Sequence, residues 1–392
     1  MHFKLPKTFF FLSLLFLVAC STPSENTEVE QNSNELNFEA IADLMMQRMN
    51  LQVGEKVLLV GTPGKFDPLV VALNDRITNS PGEYLGAISI EEAQPVEWST
   101  PFIAEMADLK DDEIEDYLKQ VDIGIMLPGA TPEDKIYGLM QQNLNEGISR
   151  TIHFHWAGAY SANGDPLEEI TPEIDQFYQQ VLLETDYGKL AKDQKRFQDA
   201  MRDQTINVTT PAGTDISFSI GDRPVTKQSG DASAATAALG RNLIDREMEL
   251  PSGAIRVAPI ESSVNGMVAF PDALWADSLV TDLVLTFEQG KVVDMTASKG
   301  IETVQKIMDE AGDVARSFRE FALGMNPRLT IPETDPWIPY YGYGSGVVRL
   351  SLGDNTELGG NVTGGFVRWN FFTDATVKVG EDVWVEDGKL LR

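Results

Sequence analysis

Two short stretches carry side chains able to do chemistry. GGFVRWNFF (364–372) reads as a strand in which Arg368 and Asn370 stand two residues apart. Side chains so spaced share one face of a strand, while Val367, Trp369 and Phe371 take the other. Such a polar pair either meets solvent or grips a partner. TIHFHW (151–156) sets His153 and His155 on one face in the same way, a spacing that suits a metal clamp. Histidine is otherwise confined to His2, the single cysteine is Cys20, and residues 156–392 hold neither. Ser-His-Asp chemistry must therefore use His153 or His155. A histidine pair without a nearby carboxylate cluster is more often structural than metal-binding, and its role stays open here.

The frame around these residues is that of a folded protein. At 392 residues the chain can bury a sizeable core, in two domains. Against 31 Lys+Arg stand 60 Asp+Glu, a formal net charge of −29. That balance repels nucleic acid and anionic membrane surfaces, so no nucleic-acid partner is expected.

The first residues do not read as part of the fold. MHFKLPK is a basic n-region and TFFFLSLLFL an apolar h-region too short for a comfortable membrane span. LVAC then ends at Cys20, and a small residue before a cysteine just past an h-region resembles the lipobox of bacterial lipoproteins. The resemblance implies that residues 1–19 are a signal peptide, cleaved before Cys20, whose thiol takes a diacylglycerol. Attachment to the membrane through that lipid, and an extracytoplasmic place in the bacterial cell envelope, follow as expectations. Ser21 leans towards outer-membrane sorting. With Cys20 committed to lipid, no intramolecular disulfide is expected. STPSENTEVEQNSNELN is polar and acidic, which makes residues 20–38 a flexible tether.

From residue 39 the pattern alternates. FEAIADLMMQRMNL reads as helix, EKVLLVGTPG as a buried strand entering a turn, and DPLVVALNDRI as helix again. EYLGAISI, DIGIMLPG and TIHFHWAG are further apolar strands between helical stretches. This alternation predicts an α/β N-terminal domain with a mostly parallel sheet over 39–203. It closes with one helix over 170–203, Thr171 as N-cap and Pro172 in its first turn. Residues 204–392 predict an α+β domain. INVTTPAGTDISFSI, LVLTFEQGKVVDMTAS and WVEDGKLL are hairpins, the last two turning at Gln289-Gly290 and Asp387-Gly388. One long helix is expected over 302–324, with Val304, Ile307, Met308, Ala311, Val314, Ala315 and Phe318 as its apolar stripe and Gly324 as its stop.

Two glycine-rich stretches invite catalytic readings and fail them. GTPGKF lacks the spacer and the Ser/Thr of a phosphate loop. GYGSGVV lacks the glycine spacing of a nucleophile elbow.

Several longer segments, in order, resemble the aminopeptidase T family of bacterial metallo-aminopeptidases. They are NLQVGEKVLLVGTP, PAGTDISFSIGDRPVTKQSGD, ELPSGAIRVAPIESSVNGMVAF, LTFEQGKVVDMTA, FREFALGMNP and VEDGKLLR, and they span nearly the whole chain after the tether. The resemblance implies an α/β N-terminal domain followed by a catalytic domain of aminopeptidase T type, a homodimer, and release of N-terminal residues from peptides by two divalent metals. The family's first glutamate ligand falls on Glu261, within Pro259-Ile260-Glu261-Ser262-Ser263-Val264-Asn265-Gly266. The second, borne on a helix, falls on Glu320. A histidine ligand falls on Arg349, and the closing His-Trp-Asp triplet on Arg368-Trp369-Asn370. The family's tyrosine, near Thr356, is missing.

Guanidinium groups stay protonated and offer no lone pair, so Arg349 and Arg368 cannot ligate a metal. With Asp turned to Asn at 370, two arginines opposite Glu261 and Glu320 would restore a charge match once metals are lost. The leading expectation is therefore a lipid-anchored, non-catalytic binding or scaffold protein with no cofactor. Its vestigial site comprises Glu261, Glu320, Arg349, Arg368 and Asn370, in a cleft suited to a peptide or an anionic small molecule. An alternative is a metallo-aminopeptidase with an altered site. There Glu261, Glu320, Asp354, Glu357 or Asp374 would hold a harder ion such as Mg²⁺ or Mn²⁺. A third is a metal-free hydrolase or lyase with Glu320 or Glu261 as base.

Overall fold

The computed structural model describes residues 35–391, apart from 92, 157–159, 162–169, 335 and 340–342. The expected signal peptide, Cys20 and the tether through residue 34 lie outside the described residues. The first helix begins at Phe38, with Asn37 accepting from the Ala40 amide as its N-cap.

Five parallel strands form the first sheet, in the order Glu83–Ser89, Lys56–Gly61, Ile123–Met126, Arg150–Phe154 and Glu247–Leu250. Helices cover both faces, which is why the central strands are apolar almost throughout. Phe38–Met49, Asp67–Thr78 and Pro172–Glu184 enclose one apolar cluster with the sheet. Pro101–Ala107, Asp111–Leu118 and Lys135–Asn145 enclose the other. The alternation read from the sequence thus gives the expected α/β part. Its last strand, however, comes from 247–250, so the chain re-enters this sheet well past residue 203.

The later part of the chain is mostly antiparallel. A five-stranded sheet runs Val367–Phe372, Val348–Gly353, Phe318–Gly324, Ala254–Val257, Val225–Lys227. An eight-stranded sheet contains the three expected hairpins; Gln289 and Gly290 (φ 50° and 78°) and Asp387 and Gly388 (45° and 74°) adopt the left-handed conformations such turns need. A single core, including Phe218, Val257, Phe287, Phe321, Leu350 and Val377, joins the two sheets. Burying each such side chain stabilises the fold by roughly 1.5–3 kcal/mol. Leu36–Arg392 form one compact unit.

Two helix expectations are corrected. The helix expected over 170–203 is two helices, Pro172–Glu184 and Tyr187–Arg202, because Asp186 caps the second by accepting from the Lys189 amide at 2.9 Å. Thr171 caps the first as expected. The helix expected over 302–324 ends at Ala311, where Gly312 takes φ 78°. Phe318–Gly324 is instead a strand buried at every position. Pairing on both sides in a sheet outweighs a 3.6-residue apolar pattern that continues only by coincidence.

Candidate functional site

The strand Phe318–Gly324 carries the centre of the site. Its pairing with Val348–Gly353 slips between Phe318↔Leu352 and Glu320↔Ser351, leaving Arg319 as a bulge residue. A bulge re-aims a side chain, and here Arg319 and Glu320, neighbours in sequence, reach the same place. Glu320 is fully buried. Its Oε1 lies 2.8 Å from Arg319 Nη1 and 3.0 Å from Arg349 Nε, and accepts from Ser351 Oγ at 3.0 Å. Its Oε2 accepts from Arg256 Nε at 3.1 Å. Burial opposes the carboxylate charge, but Arg256, Arg349 and Arg319 outweigh it and hold the Glu320 carboxyl well below the usual range.

Register explains the gathering. Arg256 pairs with Ala322 and Ala322 with Arg349, so these positions share the face of Glu320 and Ser351. Arg349 is 1% exposed and lies between aromatic rings, its guanidinium 4.9 Å from the Tyr343 centroid and 5.4 Å from that of Trp369. Glu357 closes the cluster from the short turn Thr356–Leu358. It accepts from Arg256 Nη2 at 2.5 Å and from Arg319 Nη2. Burial works against its charge too, and Arg256 and Arg319 hold it below the ordinary value.

Glu261 stands apart from this cluster. It accepts from Arg223 Nη2 at 2.5 Å and from the Asn361 amide at 2.8 Å. Its link to the rest runs through buried Asn355, whose amide donates to Glu261 Oε1 at 3.4 Å and to the Arg319 carbonyl at 3.5 Å. Gly290 is required beside it, since a Cβ there would lie 2.6 Å from the Glu261 carbonyl oxygen. Asp354 organises its own loop, accepting from Thr356 and from the amides of Gly364 and Gly365. Burial opposes its ionisation, yet those donors bring it down to about 2. Asp374 is exposed.

Arg368 and Asn370 are not where the charge-match expectation put them. Arg368 pairs with Leu352 and Asn370 with Leu350, positions whose side chains enter the core on the opposite face from Arg349 and Ser351. It is the Trp369 and Phe371 side of this strand that faces the glutamate. The Arg368 guanidinium stacks 3.7 Å from the Trp275 ring centroid and donates to the Leu274 carbonyl at 3.1 Å. Asn370 donates to the Leu350 carbonyl at 3.4 Å. Of the expected pairings, that of Arg349 with Glu320 is present at 3.0 Å, and that of Arg368 is corrected, since its strand position faces the other way. Glu320 is met by Arg256, Arg319 and Arg349, and Glu261 by Arg223.

Arg223, Arg256 and Arg319 were missed by sequence reasoning. The available signal was an arginine within an apolar strand, as in AIRV, and an Arg-Glu step within SFREFALG. His153 and His155 are both buried with ring centroids 3.4 Å apart. Burial brings His153 down to about 3, and burial with the neighbouring His153 ring holds His155 well below the ordinary imidazole value.

Residues 185–333 match the model of a family described as thermophilic metalloprotease (M29). The resemblance to the aminopeptidase T family therefore holds over that region. No curated protein matches the chain. Among solved structures, wild-type AmpT from Thermus thermophilus aligns with TM-score 0.58 at 15% identity, covering 91% of this chain and 99% of that one. The 2,5-dihydroxypyridine dioxygenase of Pseudomonas putida KT2440 aligns with the same TM-score at 14% identity, covering 90% and 96%. At such identity these likenesses establish the fold.

The divalent metals that the family resemblance implies do not fit the donors present. Glu320 is held by three guanidinium groups and a hydroxyl, and a cation placed there would sit among like charges. Among the described residues, no three His, Cys, Asp or Glu side chains are grouped so as to hold an ion.

Proposed function

We propose that this chain is a non-catalytic member of the aminopeptidase T-like fold, held at the bacterial cell envelope by a lipid on Cys20, with a binding or scaffold role. The fold alone does not fix a reaction, since a dioxygenase shares it. One observation carries the reading: the buried Glu320 carboxylate is saturated by Arg256, Arg319 and Arg349, which supply the positive charge that metals would supply to such a group. For the altered-site aminopeptidase, Glu320 would have to shed three guanidinium partners before meeting a metal. As general base it would need a proton affinity that those same groups depress. The arginines are also engaged by carboxylates of the chain itself, so they support an internal ion-pair core more than capture of an external anion.

The test is release of N-terminal residues from a panel of short peptides by the purified protein, with and without Zn²⁺, Co²⁺ and Mn²⁺. The reading expects no release above a no-protein blank under any condition. Metal-stimulated release that grows with protein concentration contradicts it.

A further inference from the structure

The helix Phe38–Met49 carries Arg48 in its last turn, with its guanidinium 4.6 Å from the centroid of the Tyr187 ring. That ring is a fixed platform: Tyr187 is 8% exposed, and its hydroxyl donates to the Leu182 carbonyl at 2.8 Å. Gly230 (φ 81°) passes against the same ring, where a Cβ would come within 2.4 Å of ring carbon Cδ1, so only glycine lets the chain run this close. The segment around it is tied down at both ends of one peptide. The Ala232 amide donates to the Arg48 carbonyl at 3.1 Å, and the Ala232 carbonyl accepts from Arg150 Nε at 2.8 Å.

These elements border a cavity of about 400 Å³, within the roughly 300–1,000 Å³ range of small-molecule sites. Arg48, Asp231, Ser229 and Asn50 are among the groups that line it. Two opposite charges thus meet the cavity, and they do not pair with each other. Arg48 offers five N–H donors, yet among the described residues its guanidinium has neither a hydrogen-bond acceptor nor a carboxylate in ion-pair contact, and its Nε is buried without a partner. The charged groups nearby are already engaged. Arg150 pairs with Glu55, Lys189 pairs with Asp193, and Asp186 caps the helix Tyr187–Arg202 through the Lys189 amide.

Asp231 is held as an anion by other means. It accepts from the Ser233 amide at 3.1 Å. Burial opposes its ionisation, but hydrogen bonds from Ser233 and Thr236, with the Arg48 charge at longer range, keep the carboxyl below its ordinary value. A guanidinium stacked on a ring is pre-oriented, and its terminal nitrogens suit a carboxylate. A bare anion at Arg48 would be repelled by Asp231, and a bare cation or metal ion at Asp231 would be repelled by Arg48. A ligand that carries both charges satisfies both groups.

We propose that this cavity binds a dipolar α-amino acid, its carboxylate on the terminal nitrogens of Arg48 and its ammonium at Asp231. The cavity shares no side chain with the cluster around Glu320, so the inference is independent of whether the chain cleaves peptides.

The test is calorimetric titration of the full chain at pH 7 with L-alanine, using propionate and ethylammonium as the same molecule without its ammonium and without its carboxylate. One saturable site for L-alanine is expected, with each control at least about tenfold weaker. Arg48→Met keeps an unbranched chain over the Tyr187 ring and Asp231→Asn keeps the acceptor for the Ser233 amide, and each should weaken L-alanine binding by about tenfold or more. No saturable site in the parent protein, a control that binds as tightly as L-alanine, or unchanged binding in both variants overturns the proposal. If a variant unfolds, the three-probe comparison on the parent protein decides alone.

Discussion

Glutamine at position 320 would keep the shape of the side chain and remove its charge. Arg256 and Arg319 would keep Glu357 as an acidic partner, while Arg349 would lose its ion pair with Glu320. Arg349, at 1% exposure, has no route to water. Breaking a buried ion pair by removing one partner costs about 3–5 kcal/mol, mostly because the other charge stays buried. With a melting entropy of roughly 2.1 cal/mol/K per residue, the unit Leu36–Arg392 has about 0.75 kcal/mol/K in total, so Glu320→Gln should lower Tm by about 4–7 °C. Differential scanning calorimetry at pH 7 reads this directly. Coupling is the sharper check: Arg349→Met should cost less in the Glu320→Gln background than in the parent, because the ion pair with Glu320 is by then already lost. A variant melting within about 1 °C of the parent, with equal Arg349→Met costs in both backgrounds, would refute the reasoning.

Further outcomes follow from the same geometry. Ser351→Ala removes a hydrogen bond to a buried carboxylate and should cost about 1.5–3 kcal/mol in urea unfolding, against about 0.5–1 kcal/mol for the loss of stacking on Trp275 in Arg368→Met, which also gives up an exposed hydrogen bond to the Leu274 carbonyl. Glu320, Glu357, Glu261 and Asp354 all have lowered pKa values, so the stability they contribute is present above their unfolded values and is lost as pH falls. Glu247, raised to about 7, has the opposite sign: its contribution is present below the ordinary glutamate value of 4.5 and is lost as pH rises through 7. Faced by Glu249, Glu357, Arg256 and Gln141, it makes urea midpoints decline between pH 5 and 7, and Glu247→Gln should flatten that decline. Cys20→Ser should move the protein from the membrane fraction to the soluble one, and incorporation of labelled fatty acid should disappear with it.

Strands and turns were legible because their signals are local. Apolar runs such as KVLLVG and left-handed turn pairs such as Gln289-Gly290 carry their own instructions. The helix expected through residue 324 failed because SFREFALG has no local preference strong enough to resist pairing on both sides. At the site, the sequence located Glu320 and Arg349 but misjudged Arg368, since a strand's facing depends on register, and one position changes the side. Arg319 was illegible for a related reason: only the bulge lets it share a face with Glu320. Arg256 and Arg223 lie 64 and 38 residues from the acids they meet, and no spacing rule connects such positions.

The most direct measurement is metal content by elemental mass spectrometry on the purified full chain, before and after soaking in Zn²⁺, Co²⁺ and Mn²⁺. A guanidinium-saturated Glu320 predicts no stoichiometric metal in any sample and no gain on soaking. Two metals per chain retained after dialysis would contradict it, and would mean that the arginines leave Glu320 when a metal arrives.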